Sequence, residues 1–379
     1  MVMTLCVCGG RTFCLLLHES LIFMLPYWLF FLVPALAALA SGPLMRVRAD
    51  GTRPLRIDAT WMLMIVALSL IIGFRYEVGG DWGNYFRYLF RAANLNFSDL
   101  GGLEDPGYWA LNILSVKLGL GMTGVNTVGA FFFSIGLVVF CRSLPRPWLA
   151  LACAMPYLVT VVAMGYTRQA IALGLLMLGL VMLGRQRFVV FALWVLAGAL
   201  FHKSAVVLIP IAALIISKKR FFTLSLVAAA TALGYVTLLA DSAAHLIDNY
   251  VDENIESAGA LIRLTMNVIP AFIFLLYRKR FALSSAENKL WLILSLIAVG
   301  MFLAFFPTNL TTALDRMALY IIPLQLMVFA HLPDAIGVFG RRNQGIVAVI
   351  LLYYAAVLFL WLNFAAHSHR WVPYRMGIG

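Results

Sequence analysis

Six short basic connectors set between apolar runs constrain the architecture of this chain more than any other feature. They read RVRADGTRPLR at 46–56, CRSLPRP at 141–147, GRQR at 184–187, SKKR at 217–220, YRKR at 277–280 and GRRN at 340–343. The apolar runs around them are suited to crossing about 30 Å of hydrocarbon. The pattern places spans at 20–40, 57–74, 123–141, 148–165, 168–184, 188–201, 205–217, 221–240, 264–277, 288–305, 316–331 and 345–364. Every basic connector then falls in an odd-numbered gap. Lys and Arg mark cytoplasmic loops, so all six connectors belong on one side of a bilayer and both chain ends on the other. Lipid leaves unpaired amides unsatisfied, so the spans must be helical. The expected fold is all-α: one polytopic integral membrane bundle of about twelve transmembrane helices.

Composition agrees with this reading. Hydrophobic residues make up 63% of the chain, charged residues 12%, and the mean hydropathy is +0.94. A soluble domain carries about twice that share of charge. The net charge of +12 raises nucleic acid as a partner, but the cations sit in the connectors, where they act as orientation signals. Membrane lipids are the expected contact instead, and nucleic acid is excluded. The cysteines are Cys6, Cys8, Cys14, Cys141 and Cys153. The run CVCGGRTFC lacks the second ligand pair of a zinc site, so no metal and no cofactor is expected. Residues 1–19 read as a poorly ordered extension, with Met24 as an alternative start.

The other face holds the chemistry. Five polar clusters converge there: RYEVGGDWGNY at 75–85, YTRQ at 166–169, HKS at 202–204, Asp315 with Arg316, and WVPY at 371–374. Ionisable groups at membrane depth are costly, so such convergence calls for a function. Residues 105–122 are apolar on a helical period but contain Asn112 and Lys117. They read as an amphipathic helix in the interface or re-entering it. The acidic segment 241–263 reads as a solvated cap with one amphipathic helix.

Within the clusters, Gly79 and Gly80 allow a tight turn that returns Asp81 to the membrane surface. Tyr76, Trp82 and Tyr85 flank that turn and suit interfacial anchoring as well as a site. Arg168 and Gln169 open the fifth span. A cation at a helix N-terminus on the outer face opposes both the helix dipole and the inside bias, and an anion bound there resolves the conflict. Guanidinium groups suit phosphate through paired hydrogen bonds. Arg75 and Arg316 supply the same chemistry at two other helix ends. His202 and Lys203 occupy a short turn between apolar spans, where an imidazole serves as a general base near neutral pH. Asp81 is the other candidate base. Asp315 next to Arg316 fits a structural ion pair equally well.

Together these strings resemble the EpsG family, bacterial membrane proteins similar to Wzy-type polysaccharide polymerases. The likeness rests on R-Y-x-V-G-G-D-W-x-N-Y at 75–85, D-P-G-Y at 105–108, T-R-Q-A-I-A at 167–172, F-H-K-S-A at 201–205, D-R-M-A-L-Y at 315–320 and W-V-P-Y at 371–374. The family often carries Glu before the Pro-Gly, where this chain has Asp105. The resemblance implies a GT-C-like bundle with periplasmic amphipathic or re-entrant helices in a bacterial inner membrane. It implies polymerisation of exopolysaccharide or O-antigen-type repeats carried on undecaprenyl diphosphate. Chain-length regulators and export proteins are the implied partners. On that reading His202, Asp81 and Arg168 are catalytic, and Arg75, Tyr76, Tyr85, Gln169, Lys203, Arg316 and Tyr374 bind substrate. An O-antigen-type ligase shares the donor and differs only in acceptor. A flippase or transporter of the lipid-linked unit predicts charge midway through spans, and the mid-span positions are nearly free of it.

Overall fold

The computed structural model describes residues 10–44, 55–211, 225, 259–307 and 311–377. Among them the secondary structure is helical, in the order α1 Gly10–Ala40, α2 Ala59–Gly73, α3 Trp82–Ala92, α4 Pro106–Lys117, α5 Gly121–Ser143, α6 Pro147–Ala154, α7 Thr167–Gly184 and α8 Phe188–Ala199. After the gap come α9 Ala260–Tyr277, α10 Ser285–Phe305, α11 Thr311–Leu319, α12 Pro323–Ile336 and α13 Gln344–Phe364. Helix starts follow local chemistry. Asp58 caps α2 by accepting from the Trp61 amide, and Ser284 with Glu287 forms a capping box on α10.

Among the described residues six helices are long and apolar enough to cross a membrane, and up to seven if the bent pair α11–α12 counts as one span. The expected count of about twelve is therefore not met among the described residues. The reason is length. The segments at 57–74, 148–165 and 188–201 form the shorter apolar helices Ala59–Gly73, Pro147–Ala163 and Phe188–Ala199. At 1.5 Å per residue, α8 is only about 18 Å long. The expected span at 205–217 starts instead as a 3₁₀ turn, Lys203–Leu208, and the rest of it lies outside the described residues, as does nearly all of 221–240. The connector at 217–220 and most of the acidic segment at 241–263 also lie outside them. Residues 10–19, read as an extension, belong to α1.

The core is built around α6, which continues as a π-helix over Met155–Ala163. Residues 149–165 are all buried, and a helix apolar on every side belongs at the centre of a bundle. Helix α5 packs between α2 and α7, and α7 packs on α8. The amphipathic α3 and the apolar α4, which is not the amphipathic helix expected over 105–122, lie across the end where α2 stops and α5 begins; α3 buries Tyr85 and Ala92 and exposes Phe86 and Phe90.

Described parts of the basic connectors meet at one end. The Arg142 Nε donates to the Arg56 carbonyl at 3.0 Å, and Leu44 N donates to Pro145 O at 2.7 Å. Arg146 pairs with Asp334 there and reaches the carbonyls of Arg341 and Arg342. The polar clusters gather at the opposite end. The tail is bolted into it: the buried Trp371 indole donates to the Thr160 carbonyl at 2.7 Å, and the Tyr27 hydroxyl donates to Trp371 O at 2.6 Å.

Candidate functional site

Two turns meet to form the site. The first is D-P-G at 105–107. Asp105 takes φ 54° and ψ 55°, a left-handed conformation that Asp tolerates better than most residues. Pro106 then opens α4 at a position where its missing N–H costs nothing. The second turn is F-H-K-S at 201–204, between α8 and the 3₁₀ turn Lys203–Leu208. The Gly107 amide donates to the Leu200 carbonyl at 2.8 Å. A Cβ at Gly107 would stand 3.0 Å from both the Cβ and the carbonyl oxygen of Leu200, so glycine lets the turns touch.

Asp105 is the junction. It is 3% exposed. Its Oδ1 accepts from the Lys203 backbone amide at 2.9 Å, and its Oδ2 accepts from Arg168 Nη1 at 2.9 Å. His202 Nδ1 stands 3.8 Å from the same Oδ2, beyond hydrogen-bond reach, and has no other partner. Burial raises the Asp105 carboxyl, but nearby His202, Arg168 and the Lys203 amide outweigh it. The net position is below the ordinary carboxylate range.

Arg168, second residue of α7, lies with its guanidinium 4.9 Å from the Tyr88 ring centre and 5.9 Å from that of Tyr108. Aromatic faces favour a cation so placed. Its Nε has no partner, while a quarter of the side chain remains exposed. The neighbouring Gln169 is buried and donates to the Arg316 carbonyl at 2.8 Å, which draws α11 alongside. The Arg316 side chain is exposed. Asp315 turns away to an ion pair with Arg263, so this adjacent Asp–Arg pair serves two different places. Lys203 Nζ pairs with Glu104 at 2.9 Å.

Asp81 precedes α3 in the field of Arg316 and Arg168. Burial raises its carboxyl above the ordinary range, and these arginines, Asn84 and Arg370 offset that only in part. Its turn is anchored to the tail: Gly79 N donates to the Arg370 carbonyl at 2.9 Å, and Arg370 Nη1 donates to Gly80 O at 2.7 Å. A Cβ on Gly79, at φ 114°, would fall 2.2 Å from Met164 O. Tyr85 is buried against Tyr108, and Tyr76 is exposed against Trp82.

The structure thus brings Arg168, Gln169, His202, Lys203, Arg316 and Asp81 together at one end. It places Arg75 and Tyr374 elsewhere in the scaffold. Arg75 is 2% exposed, and its guanidinium bonds Ile72 O on α2, Asn126 Oδ1 on α5 at 3.0 Å and Thr167 Oγ1 on α7 at 2.7 Å. It ties three helices just beneath the Arg168 position rather than opening to a ligand. The Tyr374 hydroxyl donates to Ile71 O at 2.7 Å, and its ring packs edge-on to Tyr27. Three contributors were not among the expected site residues: the Asp105 carboxylate and the Tyr108 ring, which the sequence reading used only as part of the D-P-G-Y likeness, and the ring of Tyr88. The signal for the first was the D-P-G string itself, since an acid ahead of Pro-Gly at an apolar helix start is poorly explained as surface.

The fold and site define a multi-pass membrane protein with polar chemistry gathered at one end of its helices. No curated protein and no solved structure matches the chain. The EpsG family model matches residues 58–376, most of the chain, and the protein belongs to that family, a Wzy-like polysaccharide polymerase family.

Proposed function

We propose that the protein polymerises glycan repeats carried on a polyprenyl diphosphate, at the face of a bacterial cytoplasmic membrane that points away from the cytoplasm. The observation that carries this reading is the junction of Arg168, Asp105 and His202 at the end of the short helix α8. At 1.5 Å per residue, α8 runs about 18 Å against about 34 Å for α5. Ser143 of α5 and Gly184 of α7 border a common cavity at the connector end, so the His202 turn is recessed relative to the start of α5. An isoprenoid-linked sugar diphosphate needs this combination of apolar helices and cations near the interface.

Arg168, aided by Arg316, binds the diphosphate. Charge builds on that group as the glycosidic bond breaks, so the arginines stabilise the transition state more than the bound donor. His202 takes the proton from the acceptor hydroxyl, with Asp81 as the runner-up. Arg75 positions the start of α7 from below through Thr167.

Reconstitution with defined lipid-diphosphate repeats tests the reading. A ladder of elongated products is expected, and one addition to a different glycolipid would make the protein a ligase instead. His202→Ala should stop the ladder with the protein still present in the membrane. A full ladder from this variant would move the base to Asp81, and a full ladder from Asp81→Asn as well would remove both.

A further inference from the structure

Arg168 and His202 address the same oxygen of Asp105. Arg168 Nη1 holds Oδ2 at 2.9 Å, while His202 Nδ1 waits at 3.8 Å with no partner of its own. The other oxygen, Oδ1, is fixed to the Lys203 amide at 2.9 Å, so the carboxylate stays in place whichever neighbour claims Oδ2. The groups facing the imidazole are Asp105 from the α4 turn, Arg168 from α7, and the adjoining Lys203 with its partner Glu104. Tyr320 lies nearby through its 3.0 Å hydrogen bond with Ser204. Of these, Asp105 is the acceptor closest to Nδ1. A shift of about 1 Å would bring the pair into hydrogen-bond range.

We infer that Asp105 is a positioning residue that couples donor binding to activation of His202. The inference rests on the polymerase reading and adds an order of events to it. In the structure Arg168 holds Oδ2, and His202 Nδ1 stands off from it at 3.8 Å. When a diphosphate draws the Arg168 guanidinium, Oδ2 is released to accept from His202 Nδ1–H. That hydrogen bond fixes the tautomer with Nε2 as the proton acceptor and raises its basicity. The base is then strong only when a donor is in place.

The test follows the titration of His202 by ¹³Cε1-histidine NMR in the full-length protein, assigned with His202→Ala, with and without inorganic pyrophosphate. Pyrophosphate should raise the His202 midpoint by about half a pH unit, roughly a threefold gain in proton affinity. Asp105→Asn keeps an acceptor for the Lys203 amide, which a melting curve close to wild type would verify. In that variant the pyrophosphate-dependent rise should fall to less than half. The acid-side limb of its pH–rate profile for polymer formation should also move to lower pH. Pyrophosphate that binds without moving the midpoint, or moves it equally in Asp105→Asn, overturns the coupling and leaves the polymerase reading standing. A protein that neither binds pyrophosphate nor elongates lipid-linked repeats sinks both.

Discussion

Two arginine–aspartate pairs with buried members sit at opposite ends of the helices, and they are built differently. At the connector end, Arg146 meets Asp334 through two parallel contacts, Nη2 to Oδ1 at 2.8 Å and Nε to Oδ2 at 3.2 Å. The remaining donor capacity goes to the Arg342 carbonyl at 2.9 Å and the Arg341 carbonyl at 2.7 Å. Four of the five N–H donors of that guanidinium are thus used. At the other end, Arg168 touches Asp105 through one nitrogen, leaves Nε unpartnered and rests on tyrosine rings. The first arrangement closes a structure; the second keeps donors in reserve. Both use the same two residue types, so what separates stability from reactivity here is how completely the lone pairs and N–H groups are consumed.

Truncating the more fully bonded pair should give the largest effect. Arg146→Ala leaves Asp334 with no counter-charge, only the Gly340 amide at 3.3 Å, and takes the donor from two carbonyls; it should cost about 3–5 kcal/mol, seen as loss of folded protein in detergent melting and in membrane abundance. A variant of normal abundance would erase the contrast. Arg168→Ala comes next, and its cost should fall on rate rather than stability. Polymer formation is expected to drop about a hundredfold or more, a barrier increase of about 2–4 kcal/mol, at near wild-type abundance. Lysine sharpens the distinction further. Arg168→Lys can still meet the single Asp105 contact and should retain a fraction of activity, whereas Arg146→Lys cannot rebuild a paired contact and should stay unstable. Equal behaviour of the two lysine variants would break the comparison.

Two smaller effects follow from the carboxyls. Asp105 is held below its ordinary range, so its stabilising contribution is present above the unfolded pKa and is lost as pH falls through the folded one. Hydrogen exchange at the Lys203 amide, corrected for intrinsic rate, should lose protection on acidification, and Asp105→Asn should flatten that dependence. Asp81 is shifted the opposite way, so its ionisation opposes folding and protonation favours it. Asp81→Asn should therefore raise stability slightly, by under about 1 kcal/mol, read as a small rise in melting temperature.

Much of this was legible in the chain. The described connectors meet at one end because charge is kept out of lipid, and hydropathy encodes that directly. The gathering of Arg168, His202 and Arg316 at the other end followed from the same alternation. Helix length was not encoded so plainly: α2 and α8 are as apolar as a full span, but polar turns stop them at 15 and 12 residues. The burial of Arg75 was hidden because its acceptors, Asn126 and Thr167, come from distant helices. Asp105 stayed outside the expected site for a related reason, since a carboxylate's partners depend on which turns touch. The tail motif read as one of the polar clusters on the site face, yet the Trp371 indole is spent inside the bundle.

That indole has a consequence for biogenesis. The Tyr27 hydroxyl closes on Trp371 across 344 positions, and the Tyr374 amide reaches the Phe23 carbonyl. The ribosome must therefore deliver residues beyond α13 before α1 gains its seam. A nascent chain released just after Phe364 would already contain every helix from α1 to α13, and α1 could pack on α6 and α13, but it would lack the Trp371 and Tyr374 contacts that fasten it to the tail. Final closure is thus a post-synthetic event, and quality-control proteases would meet the unlatched form first.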